Sequence, residues 1–196
     1  MRIIDCQQGT PEWYAARCGR PTASSFDKIL TSKGEPSKQR TKYLYQLAGE
    51  TITGKPEESY SNGAMQRGQE LEAEARNFYE LVTGDTVQQV GFCLSDGYGC
   101  SPDGLVGEKG GLEIKCPSIA VHVSYLLDGK LPIEYFQQVQ GNLLVTGREW
   151  WDFVSYYPGI KPLLIRVERD HGFINLLRKE LETFCSELVE LIEKIK

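Results

Sequence analysis

The chain has 196 residues, 40% hydrophobic and 25% charged, with a formal net charge of −5. This is ordinary globular composition without repeats or low-complexity tracts, and the acidic balance argues against a protein that coats nucleic acid non-specifically. No apolar run reaches membrane-spanning length and the N-terminus carries no apolar signal segment, so a soluble protein that is not exported is expected.

A short strand is expected over 2–5, then a helix capped by Thr10 with Pro11 in its first turn, ending near Cys18-Gly19. A second helix begins at Thr22-Ala23-Ser24-Ser25 and carries Phe26, Ile29 and Leu30 on one face. Residues 31–41 combine Gly, Pro, Ser and basic side chains and read as a mobile loop. Helices follow over 42–51, with Leu44, Leu47 and Ala48 inward, and over 64–82, with Leu71, Ala75, Phe78 and Val82 in one stripe. Strands are expected at 86–94, 104–106 and 112–116. Helices over 119–127 and 133–145 cover them, and strands at 151–156 and 163–168 complete the sheet. The last helix, 172–195, places Phe173, Leu177, Leu181, Phe184, Leu188, Leu191 and Ile195 at helical spacing, as core packing or as a subunit interface. The order implies an α/β fold, a single domain over 1–196 with a mixed central β-sheet flanked by helices.

The most informative stretch is Ser101-Pro102-Asp103-Gly104 followed by Gly111-Leu112-Glu113-Ile114-Lys115-Cys116-Pro117, with Glu108-Lys109-Gly110-Gly111 read as the turn of a hairpin. Period-two alternation sends Leu112, Ile114 and Cys116 to one face and Glu113 and Lys115 to the other. The hairpin brings Asp103 toward Glu113. Two carboxylates converging on a hard cation, with an ammonium beside them, suit metal-assisted phosphodiester hydrolysis. On spacing alone, Glu113 and Lys115 also fit the wet face of an ordinary antiparallel strand.

Six cysteines are scattered without a C-x-x-C pair and read as reduced thiols, several of them buried. His122 and His171 are isolated and suggest no histidine-based metal site.

Five blocks, in order, resemble the lambda exonuclease family, the YqaJ-like phage recombination nucleases of the wider PD-(D/E)xK superfamily. They are 13–24 (W-Y-A-A-R-C-G-R-P-T-A-S), 68–80 (G-Q-E-L-E-A-E-A-R-N-F-Y-E), 100–105 (C-S-P-D-G-L), 111–117 (G-L-E-I-K-C-P), and Gln138-Val139-Gln140 with Val145-Thr146. The resemblance implies a restriction-endonuclease-like core. It implies that Asp103, Glu113 and the main-chain carbonyl of Ile114 hold Mg²⁺ or Mn²⁺, two ions per site, with Glu72 as an additional acidic ligand. Lys115, through a lowered pKa, would orient or deprotonate the attacking water, or hold the scissile phosphate. Gln138 would contact substrate or a metal-bound water. Arg17, Thr22, Ser24 and Ser101 would hold a 5′-phosphate, helped by a helix N-terminus. Trp13 would stack on a base or act as a wedge at the duplex end, or else sit in the core.

For Glu72 the alternative is an exposed ion pair with Arg76; for Thr22 and Ser24 it is helix capping, and for Arg17 a surface pair with Glu12. The loop 31–41 does not match the family pattern, so Lys33, Lys38, Arg40 and Lys42 enter as phosphate contacts on charge alone.

The resemblance further implies a 5′→3′ exonuclease on linear double-stranded DNA, releasing mononucleotides and leaving 3′ tails for a single-strand annealing protein. A homotrimer and a phage or prophage setting in bacterial cytoplasm belong to the same expectation. The alternatives are a restriction- or repair-type endonuclease on the same fold, and a catalytically silent DNA-binding module.

Overall fold

Residues 1–57 and 63–196 are described by the computed structural model, residues 63–69 through their backbone alone. In chain order the elements are β1 (Arg2–Ile4), α1 (Pro11–Arg17), a 3-10 helix (Ala23–Lys28), α2 (Arg40–Thr53), α3 (Gly63–Thr83), β2 (Val87–Gln88), β3 (Phe92–Ser95) and β4 (Tyr98–Cys100). There follow β5 (Gly104–Val106), β6 (Gly110–Lys115), α4 (Ile119–Asp128), a 3-10 turn (Ile133–Tyr135), α5 (Phe136–Thr146), β7 (Trp150–Ser155), β8 (Leu163–Glu168) and α6 (His171–Ile195).

Local signals open several of these elements. The Thr10 side chain accepts the Trp13 N–H, and Pro11 begins α1 with its φ already helical. Asp170 does the same for α6 by accepting the Phe173 N–H.

The main sheet has five strands in the order β2-β5-β6-β7-β8, and a second sheet has three in the order β1-β3-β4. In the main sheet β6 and β7 run parallel, and the other neighbours are antiparallel. The expected mixed sheet flanked by helices is therefore present. Apolar clusters lie on both faces of the main sheet. Leu112, Ile114 and Val154 pack with Ala75 and Tyr79 of α3. Leu105 and Trp151 pack with α2, α5, α6 and the first 3-10 helix. The alternation in β6 thus sends Glu113 toward α5, where it is 1% exposed.

Several expectations needed correction. The strand expected at 86–94 is two strands in two different sheets, broken at Gln89-Val90-Gly91. A Cβ on Gly91 would sit 2.2 Å from the Cys6 carbonyl oxygen, so the chain passes close to its own N-terminal segment as it changes sheets. The sequence reading missed β4; Asp96-Gly97, both at positive φ, form its two-residue hairpin turn. The helix expected at 22 is a six-residue 3-10 helix, and the 133–145 helix opens with a 3-10 turn. Val82 and Ile195 are exposed, because the last turns of α3 and α6 run past the core; Tyr79 takes the buried place on α3. Of the loop expected at 31–41, Arg40 and Thr41 already belong to α2, and the Thr31 and Ser37 N–H groups donate to the Glu35 and Ile29 carbonyls.

Gly110 and Gly111, expected as turn residues, are inside β6, and both are forced to be small by β7. A Cβ on Gly111 would meet the Trp151 ring at 2.2 Å. Gly111→Ala is expected to destabilise the protein by about 1–3 kcal/mol through overpacking, read as a lower urea midpoint. An unchanged midpoint would show that the Trp151 ring yields freely.

Candidate active site

Antiparallel pairing of β5 and β6 sets Gly104 opposite Leu112, which places Asp103, just before β5, beside the end of β6. The Asp103 Oδ2 accepts the Ile114 N–H at 2.6 Å. Next to it Glu113 is held by three side-chain donors. Lys115 Nζ and Gln138 Nε2 each lie 2.5 Å from its Oε1. Asn142 Nδ2 donates to its Oε2 at 3.0 Å. Glu113 is therefore a sequestered carboxylate and not the wet face of a strand.

Burial, and then the charge of Glu113, push the Asp103 carboxyl well above the usual aspartate range. A site that disfavours its own second negative charge accepts a cation readily. Among the described residues no three His, Cys, Asp or Glu side chains gather closely enough to hold an ion by themselves. Two carboxylates and the adjoining Ile114 carbonyl form an all-oxygen donor set, which fits a hard divalent cation and not a soft one.

The raised Asp103 pKa carries a stability consequence. The folded chain holds this proton at a pH where the unfolded chain has lost it. Stability of the metal-free protein therefore falls as pH rises from the ordinary aspartate range through the folded-state value. Asp103→Asn removes that cost. Its melting temperature in EDTA at neutral pH is expected to exceed that of the unmodified chain; a lower one would contradict the assignment of a partly buried, repelled carboxyl.

Lys115 departs from expectation. Burial pulls its pKa down, but Glu113 and Asp103 outweigh this and carry it above the usual lysine range. The ammonium also lies 5.2 Å from the Tyr135 ring centroid, over its face. Lys115 is thus a charged donor in this state, and the lowered pKa expected from the sequence is not found.

Glu72, on α3, is half-buried and ion-paired with Arg76 one helical turn away. Burial raises its pKa, and its charge is felt by Asp103. Of the sequence candidates near the metal-fitting pair, Gln138 and Lys115 touch Glu113 directly, whereas Glu72 faces the same cleft with its carboxylate engaged by Arg76.

A second cluster is tied to the first by Pro102. The Ser101 hydroxyl accepts from Trp13 Nε1 at 2.8 Å and from Arg17 Nη1 at 2.9 Å. Arg17 Nη2 reaches the Thr22 and Ser24 hydroxyls at 3.3 and 3.4 Å. The guanidinium lies 4.4 Å from the Trp13 ring centroid. Burial pulls the Arg17 pKa down. Among the described residues no carboxylate forms an ion pair with it.

Thr22 makes no side-chain cap bond to the 3-10 helix that follows, so its hydroxyl belongs to the Arg17 cluster. That helix is too short to supply much of a dipole. The guanidinium and its hydroxyl neighbours, and not a helix end, are the donors an anion could meet here. A cleft of about 1210 Å³ is lined by Trp13, Arg17, Thr22, Glu72 and Asp103, so Arg17 and Asp103 open into one space.

The sequence profile of the YqaJ-like viral recombinase domain matches residues 12–149. The chain belongs to this family. The alkaline exonuclease LHK-Exo from Laribacter hongkongensis, in a crystal structure with dAMP, is 40% identical with a TM-score of 0.87, covering 95% of this chain and 96% of that one. A second crystal structure of the same exonuclease is 39% identical, with the same TM-score and coverage. A phage-related exonuclease from Haemophilus somnus 129PT shares the fold at 17% identity and a TM-score of 0.73, covering 90% and 96% of the two chains. No curated protein is a significant match. The family match contains every site residue named so far.

Two site residues escaped the sequence reading. Asn142 lies four residues after Gln138, on the same face of α5, and that spacing was the available signal. Lys28 lines the cleft and lies 5.0 Å from the Tyr43 ring centroid; its place on a short 3-10 helix concealed it. Arg40, a charge-based candidate, is instead paired with Glu187 and Glu180 of α6. Lys33, Lys38 and Lys42 remain exposed.

Proposed function

We propose that this chain is a Mg²⁺- or Mn²⁺-dependent exonuclease that digests one strand of linear double-stranded DNA in the 5′→3′ direction. It releases mononucleotides and leaves a 3′ single-stranded tail for the annealing protein of a phage-type recombination system, in the cytoplasm of a bacterial host. The observation that carries the reading is the shared cleft: a partly buried guanidinium with three hydroxyls and, among the described residues, no carboxylate ion pair at one part, and Asp103 beside Glu113 at another. Membership of the recombinase family and likeness to exonucleases support it. Assembly as a homotrimer around DNA is part of the proposal on resemblance alone. Among the described residues no helix is long and apolar enough to cross a membrane.

Arg17 binds the terminal 5′-phosphate through its paired N–H groups, with Ser101, Thr22 and Ser24 as further donors. Trp13, fixed by its bond to Ser101, presents an aromatic surface at the strand end. Asp103, Glu113 and the Ile114 carbonyl would hold the cations, and Glu72 would be a further carboxylate donor if freed from Arg76. When bound, the ions supply Lewis acidity at the phosphate and lower the pKa of water. Lys115, already an ammonium, donates to a non-bridging oxygen of the scissile phosphate. Gln138 moves from Glu113 to orient water or substrate. Because Ser101 and Asp103 are joined by one proline, the terminal phosphate and the bond to be cut are held at a fixed separation.

Linear duplex DNA labelled at either its 5′ or its 3′ ends tests the polarity. With Mg²⁺, 5′ label should leave early as mononucleotide while 3′ label stays in long strands. Early release of 3′ label would overturn the proposed direction.

A further inference from the structure

We propose that Asn142 is a positioning residue for Glu113: it anchors one carboxylate oxygen and thereby presents the other to the cation. This inference rests on reading Asp103 and Glu113 as the ion-holding pair. Glu113 is 1% exposed, so its charge is satisfied by protein donors, and those donors divide unequally. Oε1 is shared by Lys115 and Gln138, both of which are partly exposed and, in the proposed function, turn to the substrate. Oε2 has Asn142, itself 1% exposed.

Only the Asn142 contact is fixed by burial at both ends. When Lys115 and Gln138 turn to substrate, Asn142 alone keeps the carboxylate plane from rotating and leaves Oε1 pointing outward. The helix explains why the contact exists. Asn142 sits in a wholly buried run, Gly141 to Val145, where a polar side chain is tolerated because its donor is used. With Gln138 four residues earlier, α5 directs two amides at one carboxylate. A residue of this kind acts through its neighbour. Removing such a partner of a metal ligand costs about 10–100-fold in metal affinity.

The test is binding of Mn²⁺ alone to the full chain, followed by the electron paramagnetic resonance signal of free ion, alongside thermal unfolding. Asn142→Leu keeps the side-chain volume and removes the donor; Asn142→Ala serves if the leucine variant does not fold. Gln137→Leu is the control: it is buried on the same helix but donates to the Leu30 carbonyl. The expected result is Mn²⁺ affinity about 10–100-fold weaker in the Asn142 variant, with the Gln137 variant losing stability but not affinity. An Asn142 variant that loses stability yet binds Mn²⁺ as tightly as the unmodified chain overturns the proposal. Failure of the underlying site looks different: the unmodified chain, or Asp103→Ala compared with it, would show no Mn²⁺ binding that depends on Asp103.

Discussion

Asp103→Asn and Glu113→Gln are each expected to lower Mg²⁺-dependent hydrolysis of linear duplex DNA by about a thousandfold, a loss of about 4 kcal/mol in transition-state stabilisation. Both changes keep side-chain shape, so they test charge and not packing. Glu113 is buried among Lys115, Gln138 and Asn142, and the amide of a glutamine would keep some of those contacts while losing the negative charge. The Asp103→Asn variant is the cleaner of the two, because it combines lost turnover with the higher metal-free melting temperature expected from relieving a partly buried, repelled carboxyl. Turnover within about tenfold of the unmodified chain, for either variant, would remove that carboxylate from the mechanism.

Arg17→Ala should abolish the advantage of a 5′-phosphorylated end. Charge-assisted hydrogen bonds of this type contribute about 1.5–3 kcal/mol, so the rate on 5′-phosphorylated duplex should fall about 10–150-fold. The rate on 5′-hydroxyl duplex should change little. The guanidinium has three hydroxyl neighbours, no carboxylate ion pair among the described residues, and an aromatic ring at 4.4 Å, so its charge is held in place before any ligand arrives. Measured initial rates on the two duplexes decide the matter. If the variant still prefers phosphorylated ends, the pocket binds something other than the terminal phosphate.

Much of the site was legible because it lies in one strand of regular alternation. Period two in Leu112-Glu113-Ile114-Lys115 separates the apolar face from the charged one, and the hairpin brings Asp103 alongside. The lysine's protonation was less accessible. Sequence places Lys115 near acidic residues, but the sign of its pKa shift depends on how closely Glu113 and Asp103 approach it in a buried space. Asn142 was obscured by a helix that also carries Gln137, Gln138 and Gln140, where one amide among several is marked out only once its partner across the layer is known.

The fold was least legible where the chain changes sheets. Residues 86–94 are apolar enough to read as one strand, and the break at Gly91 follows from a close approach to Cys6 that no local pattern contains. Asp96-Gly97, by contrast, was a plain hairpin signal, and reading it would have located β4. The glycines at 110 and 111 looked like turn residues, yet their size is set by tryptophans in a strand far along the sequence.

A cleft that couples recognition of a strand end to hydrolysis beside it should leave DNA without ends untouched. The most direct measurement compares covalently closed circular duplex with the same DNA linearised, each incubated with the protein in Mg²⁺ and sampled over time. The linear form should shorten progressively to mononucleotides while the closed circle stays intact. Nicking or linearisation of the closed circle would contradict end-directed digestion and mark the enzyme as an endonuclease.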